Sequence, residues 1–296
     1  MQIIKFIVPV ILLSGFIFSC KKDKEDDTIV PAAPQLIFKF KFDSTQVRLD
    51  GSGDTVTILP AGHGAQSPVF NSMSAHYIEL AQSANTWLGT GAVLYHAPET
   101  TAGSDTAIDF SKSAVKAGGE TFFSVPLSNV QAGSYQYLRV SLAYQNYNIK
   151  VRSSGFDLTG TIASFIGYNT YIGSVKVKDN LLPVNANKLQ GFWAFEFTPP
   201  GSSAQIISGQ GAGVTTVPNP LFLTSPIPQG SCVVTGAFAS PLTITGSETQ
   251  DVVVTVSLST NKSFEWKENS TAGYYEPANG DTVVDMGIRG LIPIVQ

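Results

Sequence analysis

The sequence predicts an all-β protein, an antiparallel β-sandwich, on three observations. Leu36-Ile37-Phe38-Lys39-Phe40-Lys41-Phe42 alternates strictly, with Leu36, Phe38, Phe40 and Phe42 on one face and both lysines on the other, as a half-buried strand does. Turn formers are dense, with 27 Gly and 17 Pro, while hydrophobic residues make up 43% of the chain and charged residues only 14%. No stretch sustains a helical period, so helices are expected only as short connectors.

At 296 residues the chain is long enough for one large β domain or two small ones. Its formal charge of -4, with scattered lysines and arginines, gives no basic footprint for nucleic acid.

The N-terminus carries its own pattern. Lys5 precedes an apolar run, Phe6 to Phe18, that is short for a membrane span and has the build of a secretory signal segment over residues 1–19. Ile17-Phe18-Ser19-Cys20 resembles a bacterial lipobox, which implies lipidation of Cys20 and attachment to a membrane through acyl chains. Residues 20–34 then read as a solvated tether, in which Lys24-Glu25-Asp26-Asp27 resembles the lysine-plus-acidic export signal of Bacteroidetes-type surface lipoproteins. The expected location is the outer membrane or cell surface. With Cys20 lipidated, the one remaining cysteine, Cys232, cannot form an internal disulfide and reads as a small buried hydrophobe.

After the first strand, Asp43-Ser44-Thr45 turns, and Val47-Arg48-Leu49, the Asp50 to Asp54 turn cluster and Thr55 to Leu59 read as a β-hairpin. Met73 to Leu80 alternates, which puts His76 on a face with Ile78 and Leu80. Ala92 to His96 continues the sheet, with Leu94 and His96 on one face, and Pro98 ends it. Strands are further expected over Thr121 to Leu127, Tyr135 to Tyr144, Asn148 to Arg152, Gly160 to Phe165, Thr170 to Val177 and Gly191 to Phe197. A Gly/Pro-rich span from Gly209 to Gly230 breaks the pattern as a boundary or a long loop. The main sandwich is therefore assigned to residues 35–229. Residues 230–296 either complete it or form a small second β unit.

All three histidines, His63, His76 and His96, fall between Pro60 and Glu99, together with Met73, one of three methionines. Imidazole suits copper and zinc and a thioether favours copper(I), so these four residues form a candidate copper set drawn from different strands and loops. The competing class is a non-enzymatic surface module for a glycan or a protein partner, with Tyr144, Tyr147, Tyr274 and Tyr275 as contact residues. Catalysis is poorly supported: no Gly-x-Ser-x-Gly elbow occurs, and Gly209-Gln210-Gly211-Ala212-Gly213 lacks the Lys-Ser/Thr of a phosphate loop.

Four segments together resemble the MbnP-like family of periplasmic copper-binding β proteins. They are Leu36 to Asp43, His76-Tyr77-Ile78-Glu79-Leu80, Val125 to Val140 with its Ala132-Gly133-Ser134-Tyr135 turn, and Gly191-Phe192-Trp193-Ala194-Phe195. The likeness spans about residues 36–197. It implies copper binding in the cell envelope, a haem-containing redox partner, and Trp193 close to the metal. This chain has Phe195 where the family tends to carry a second tryptophan, and Gln145 where it tends to carry an aspartate.

Overall fold

The structure, a computed structural model, describes residues 33–50, 54–212 and 227–296. The expected signal segment, lipobox Cys20 and most of the tether lie outside the described residues. No helix among the described residues is long and apolar enough to cross a membrane.

In chain order the strands begin with β1 (Gln35–Asp43), β2 (His63–Gln66), β3 (Val69–Ala81), β4 (Ala92–His96), β5 (Glu99–Thr100) and β6 (Ala107–Asp109). The middle of the chain gives β7 (Thr121–Pro126), β8 (Gly133–Ser153), β9 (Phe156–Phe165), β10 (Asn169–Lys176), β11 (Leu181–Leu189) and β12 (Phe192–Phe197). The remainder gives β13 (Gln205–Gln210), β14 (Cys232–Ile244), β15 (Val252–Ser259), β16 (Phe264–Lys267), β17 (Thr282–Met286) and β18 (Leu291–Val295). Among the described residues helix is confined to single 3-10 turns, such as Phe110–Lys112.

The scaffold is an all-β sandwich built around β8. Along one edge β8 pairs with β3; along the other it pairs first with β14 and then with β9, and β12 and β13 extend the sheet beyond β9. Facing the first half of β8 is a mixed sheet in the order β18-β15-β1-β7. The alternation of β1 has the expected result: Leu36, Phe38 and Phe40 are buried against Val254 and Val256 of β15 and Ile78, Leu138 and Val140 of the opposite sheet. Burial of such side chains is the main force holding the layers, at roughly 1.5–3 kcal/mol for each fully buried aliphatic or Phe side chain.

The second half of β8 is covered on both faces. Tyr144, with Phe165 and Ala194, packs against Ile172 and Val175 of the sheet β11-β10-β6-β5. Tyr147, Ile149 and Phe195 pack instead against Phe264 and Trp266 of the sheet β17-β16-β2.

Two expectations are corrected. The hairpin between Val47 and Leu59 reduces to a single bridge, Leu49 with Thr55, because β1 takes its partners from far along the chain: parallel β15 and antiparallel β7. Gly209 and Gln210, expected to open the long loop, instead close strand β13 on β12. Of the strands after residue 230, β14 adds onto β8, β15 onto β1 and β18 onto β15, while β16 and β17 pair with β2 in a small sheet, and from Ala33 on the described residues form one compact unit.

Candidate metal centre

Two β-bulges build the site. Along β3, Ala75 pairs with Leu142 and Tyr77 with Ser141, so His76 is an extra residue without a partner on β8. A bulge of this kind suspends alternation and brings neighbouring side chains to one side. Met73 and Ala75 before it, and Ile78 and Leu80 after it, all enter the main core, whereas the rings of His76 and Tyr77 lie side by side, 4.2 Å between centroids. The expectation that His76 shares a face with Ile78 and Leu80 is overturned by that extra residue.

On β4 the same device recurs. Ile78 pairs with Tyr95 and Glu79 with Val93, leaving Leu94 as the extra residue. Leu94 and Tyr95 both pack on the main core, and His96 emerges opposite Tyr77, stacked on its ring at 4.3 Å and 14°. The expected shared face of Leu94 and His96 is lost for this reason.

Pro98 then ends the strand, its carbonyl accepting from Asp109 N–H, and the chain resumes as β5 with Glu99 opposite Ile108. Glu99 Oε1 lies 2.9 Å from His76 Nε2 and 3.3 Å from His96 Nε2. It also accepts from the Tyr168 hydroxyl at 3.2 Å, while the Tyr77 hydroxyl and His96 Nε2 form a hydrogen bond of 2.8 Å. Tyr168 stacks on His76, at 5.2 Å between centroids and 25° between planes. Ligand atoms of His76, His96 and Glu99 all lie within 4.8 Å of one another, and among the described residues this is the one group of three His, Cys, Asp or Glu side chains so arranged.

The site is a one-sided opening. The His76 side chain is 0% exposed, Glu99 25% and His96 46%, so an ion would approach past His96. The hydrogen bond from His76, followed by that from His96, holds the Glu99 carboxyl at about 2, against the opposing effect of burial. Burial lowers the pKa of His76 below 6.5 in spite of the carboxylate beside it. At neutral pH Glu99 is therefore an anion and His76 a neutral base, the protonation states that metal ligands require. Burial, and then the Glu99 charge, raise the pKa of the Tyr77 and Tyr168 hydroxyls, which stay protonated. Among the described residues no lysine or arginine pairs with Glu99.

His63 belongs elsewhere. Its Nδ1 sits 2.6 Å from Glu265 Oε1, while Glu265 Oε2 is held by Arg48 and by Arg289 at 3.1 Å. Met73 is fully buried in the main apolar core, where its backbone bridges to Lys116. The four-residue set expected from the sequence thus divides: His76 and His96 converge, His63 is taken by an ion-pair network, and Met73 packs as a core residue. Glu99, Tyr77 and Tyr168 complete the polar cluster and were missed. The His96-x-x-Glu99 spacing was the available signal for the first of them.

Trp193 lies across β13, where a Cβ at Gly209 would come within 2.7 Å of its ring, and it packs at the edge of the Phe264–Trp266 cluster. Gln145 donates from Nε2 to the Met286 carbonyl. The tyrosines expected at a ligand surface are also redistributed. Tyr144 and Tyr147 are buried because both faces of β8 are covered there, and Tyr275 packs on Phe264 and Trp266. Tyr274 is exposed, but the Arg152 guanidinium lies 3.2 Å from its ring centroid.

No protein-family model matches the chain, and neither does any curated protein or solved structure.

Proposed function

We propose that this β-sandwich binds a divalent transition-metal ion through His76, His96 and Glu99, with copper(II) held more tightly than zinc(II). The supporting observation is the pair of imidazoles converging on one ionised carboxylate that no lysine or arginine neutralises among the described residues. Two nitrogens and an oxygen suit both ions, and copper(II) stands at the maximum of the first-row stability order. The thioether of Met73, a core residue, no longer argues for copper(I).

The His76 ring limits the affinity. Its Nε2–H is the donor that Glu99 accepts, and its buried Nδ1 has no hydrogen-bond partner. Ligation through Nε2 moves the ring proton to Nδ1, where no carboxylate or carbonyl receives it. Sites with that outer partner in place typically gain 10–100-fold in affinity. Reversible, chelator-sensitive binding is the consequence, as suits a carrier or sensor more than a structural ion.

Titration calorimetry with copper(II) and zinc(II), with metal analysis after dialysis, tests the reading. One equivalent bound by the wild type and none by His76→Ala/His96→Ala supports it. No uptake, or equal uptake by the double variant, sinks it.

The anchoring reading is proposed on separate grounds: a signal-like segment ending at Cys20 and a polar tether behind it. Replacement Cys20→Ser is expected to release the protein from membranes. Persistence in the membrane fraction would contradict lipidation at that residue.

A further inference from the structure

The bulge that makes His76 an extra residue also sets Tyr77 against the candidate metal centre. The Tyr77 ring is stacked on that of His96, and its hydroxyl lies 2.8 Å from His96 Nε2. Tyr77 is 3% exposed and belongs to an apolar cluster with Val233, against which Leu88 and Val93 pack, so the ring is held where it stands. Among the described residues its hydroxyl has no hydrogen-bond partner besides His96.

Metal binding takes that partner away. An imidazole nitrogen carries either a proton or one lone pair, and an ion on His96 Nε2 occupies the place of both. The nitrogen then neither donates to Tyr77 nor accepts from it. A buried hydroxyl left unpaired is destabilising, and such groups are rare in folded proteins. Because the hydroxyl lies 2.8 Å from the atom that the ion binds, the nearest new partner is an acceptor carried by the ion itself.

Coordination and charge say what that acceptor is. His76, His96 and Glu99 offer three ligand atoms. Zinc(II) held by three protein ligands takes water or an external group as its fourth, and copper(II) with nitrogen and oxygen donors favours a square-planar set. Two neutral imidazoles and one carboxylate leave a divalent ion with one positive charge, and among the described residues no second carboxylate joins the group. Water would complete the coordination but leave that charge, and a water polarised by the ion offers protons where Tyr77 needs a lone pair. A dianion would overshoot. Access adds a limit on size: His76 is 0% exposed and the ion is approached past His96, so the ligand must be compact.

We propose that the metal-loaded site binds one compact monoanion, a carboxylate or an anion of similar size, as a further ligand of the ion, with the Tyr77 hydroxyl donating a hydrogen bond to it. The inference rests on the metal reading given above. Tyr77 is a positioning residue in it, since it touches the anion and not the ion.

Titration of the copper(II)-loaded full chain with azide, followed by visible absorption, tests it. A saturable azide-to-copper band at one azide per copper is expected, displaced by formate more readily than by sulfate. N-acetylglycine in place of formate tells a peptide chain end from a free anion. Tyr77→Phe keeps the ring and its packing and removes only the hydroxyl, so copper affinity is expected to stay within about threefold of the wild type while azide and formate affinities fall about fivefold or more. His63→Ala is expected to change neither. A chain that takes up copper but shows no azide band overturns this proposal and leaves the metal reading standing, whereas no copper uptake removes both. Unchanged azide affinity in Tyr77→Phe overturns it too, as does sulfate displacing azide more readily than formate.

Discussion

His63 meets Glu265 at 2.6 Å and His76 meets Glu99 at 2.9 Å, so by contact alone the two pairs are alike. Their surroundings are opposite. Glu265 is held by two guanidiniums, Arg48 and Arg289, and Arg289 also holds Asp285, so two cations already balance two anions. Glu99 accepts from His76 and Tyr168 and lies beside His96, and among the described residues no lysine or arginine reaches it. An imidazole beside a carboxylate is therefore not in itself a metal site. The deciding feature is whether a fixed cation has reached the carboxylate first.

The comparison can be broken first at Glu265. Breaking a buried ion pair by removing one partner typically costs about 3–5 kcal/mol, so Glu265→Ala is expected to lose that much in denaturant unfolding while metal uptake per folded molecule stays at the wild-type level. A loss below about 1 kcal/mol would deny the network its structural role. Next in size is Glu99→Gln. Metal affinity is expected to fall at least about a hundredfold, about 2.7 kcal/mol, with a change of about 1 kcal/mol or less in the stability of the metal-free protein.

Glu196 offers a third kind of carboxylate. Burial pushes its pKa up, but the N–H groups of Lys178, Asp179 and Asn180 and the Asn180 side chain more than offset that and hold it below 4.5. Because the folded value is lowered, its stabilisation is fully present above the unfolded pKa and disappears as pH falls through the folded one. Glu196→Gln is expected to cost about 2 kcal/mol at pH 7 and progressively less below pH 4.5. A cost that is constant over this range, followed by urea unfolding at each pH, would contradict the account. The smallest effect is expected at His63, partly exposed at the rim of its network: His63→Ala should cost about 1 kcal/mol or less and leave metal binding unchanged.

Much of this scaffold is legible in the chain. The alternation of Leu36 to Phe42 specifies a half-buried strand because side chains in a strand change face at every residue, and Tyr135 to Tyr144 was legible as a strand although Leu138 to Tyr144 are all buried. The segment holding His76 and His96 was also legible as the place to look. Its geometry was not. An extra residue at His76 and another at Leu94 each reverse the alternation within a strand, and whether a residue is extra depends on the partner strand, here β8 and β3. Glu99 stood three residues from His96, but Tyr168 reaches it from far along the chain. His63 was misassigned because its partner Glu265, which also gathers Arg48 and Arg289, lies more than two hundred residues along the chain. Tyr144 and Tyr147 were taken for surface groups because local pattern does not reveal that two further sheets cover both faces of β8.

The central claim is that two imidazole nitrogens and one carboxylate oxygen hold the ion. Electron paramagnetic resonance of the copper(II)-loaded protein, with pulsed detection of coupled imidazole nitrogens, counts them directly. Two imidazoles are expected in the wild type and in His63→Ala, and one in His96→Ala. A spectrum with no coupled imidazole, or one unchanged when His76 and His96 are both replaced, would contradict the account.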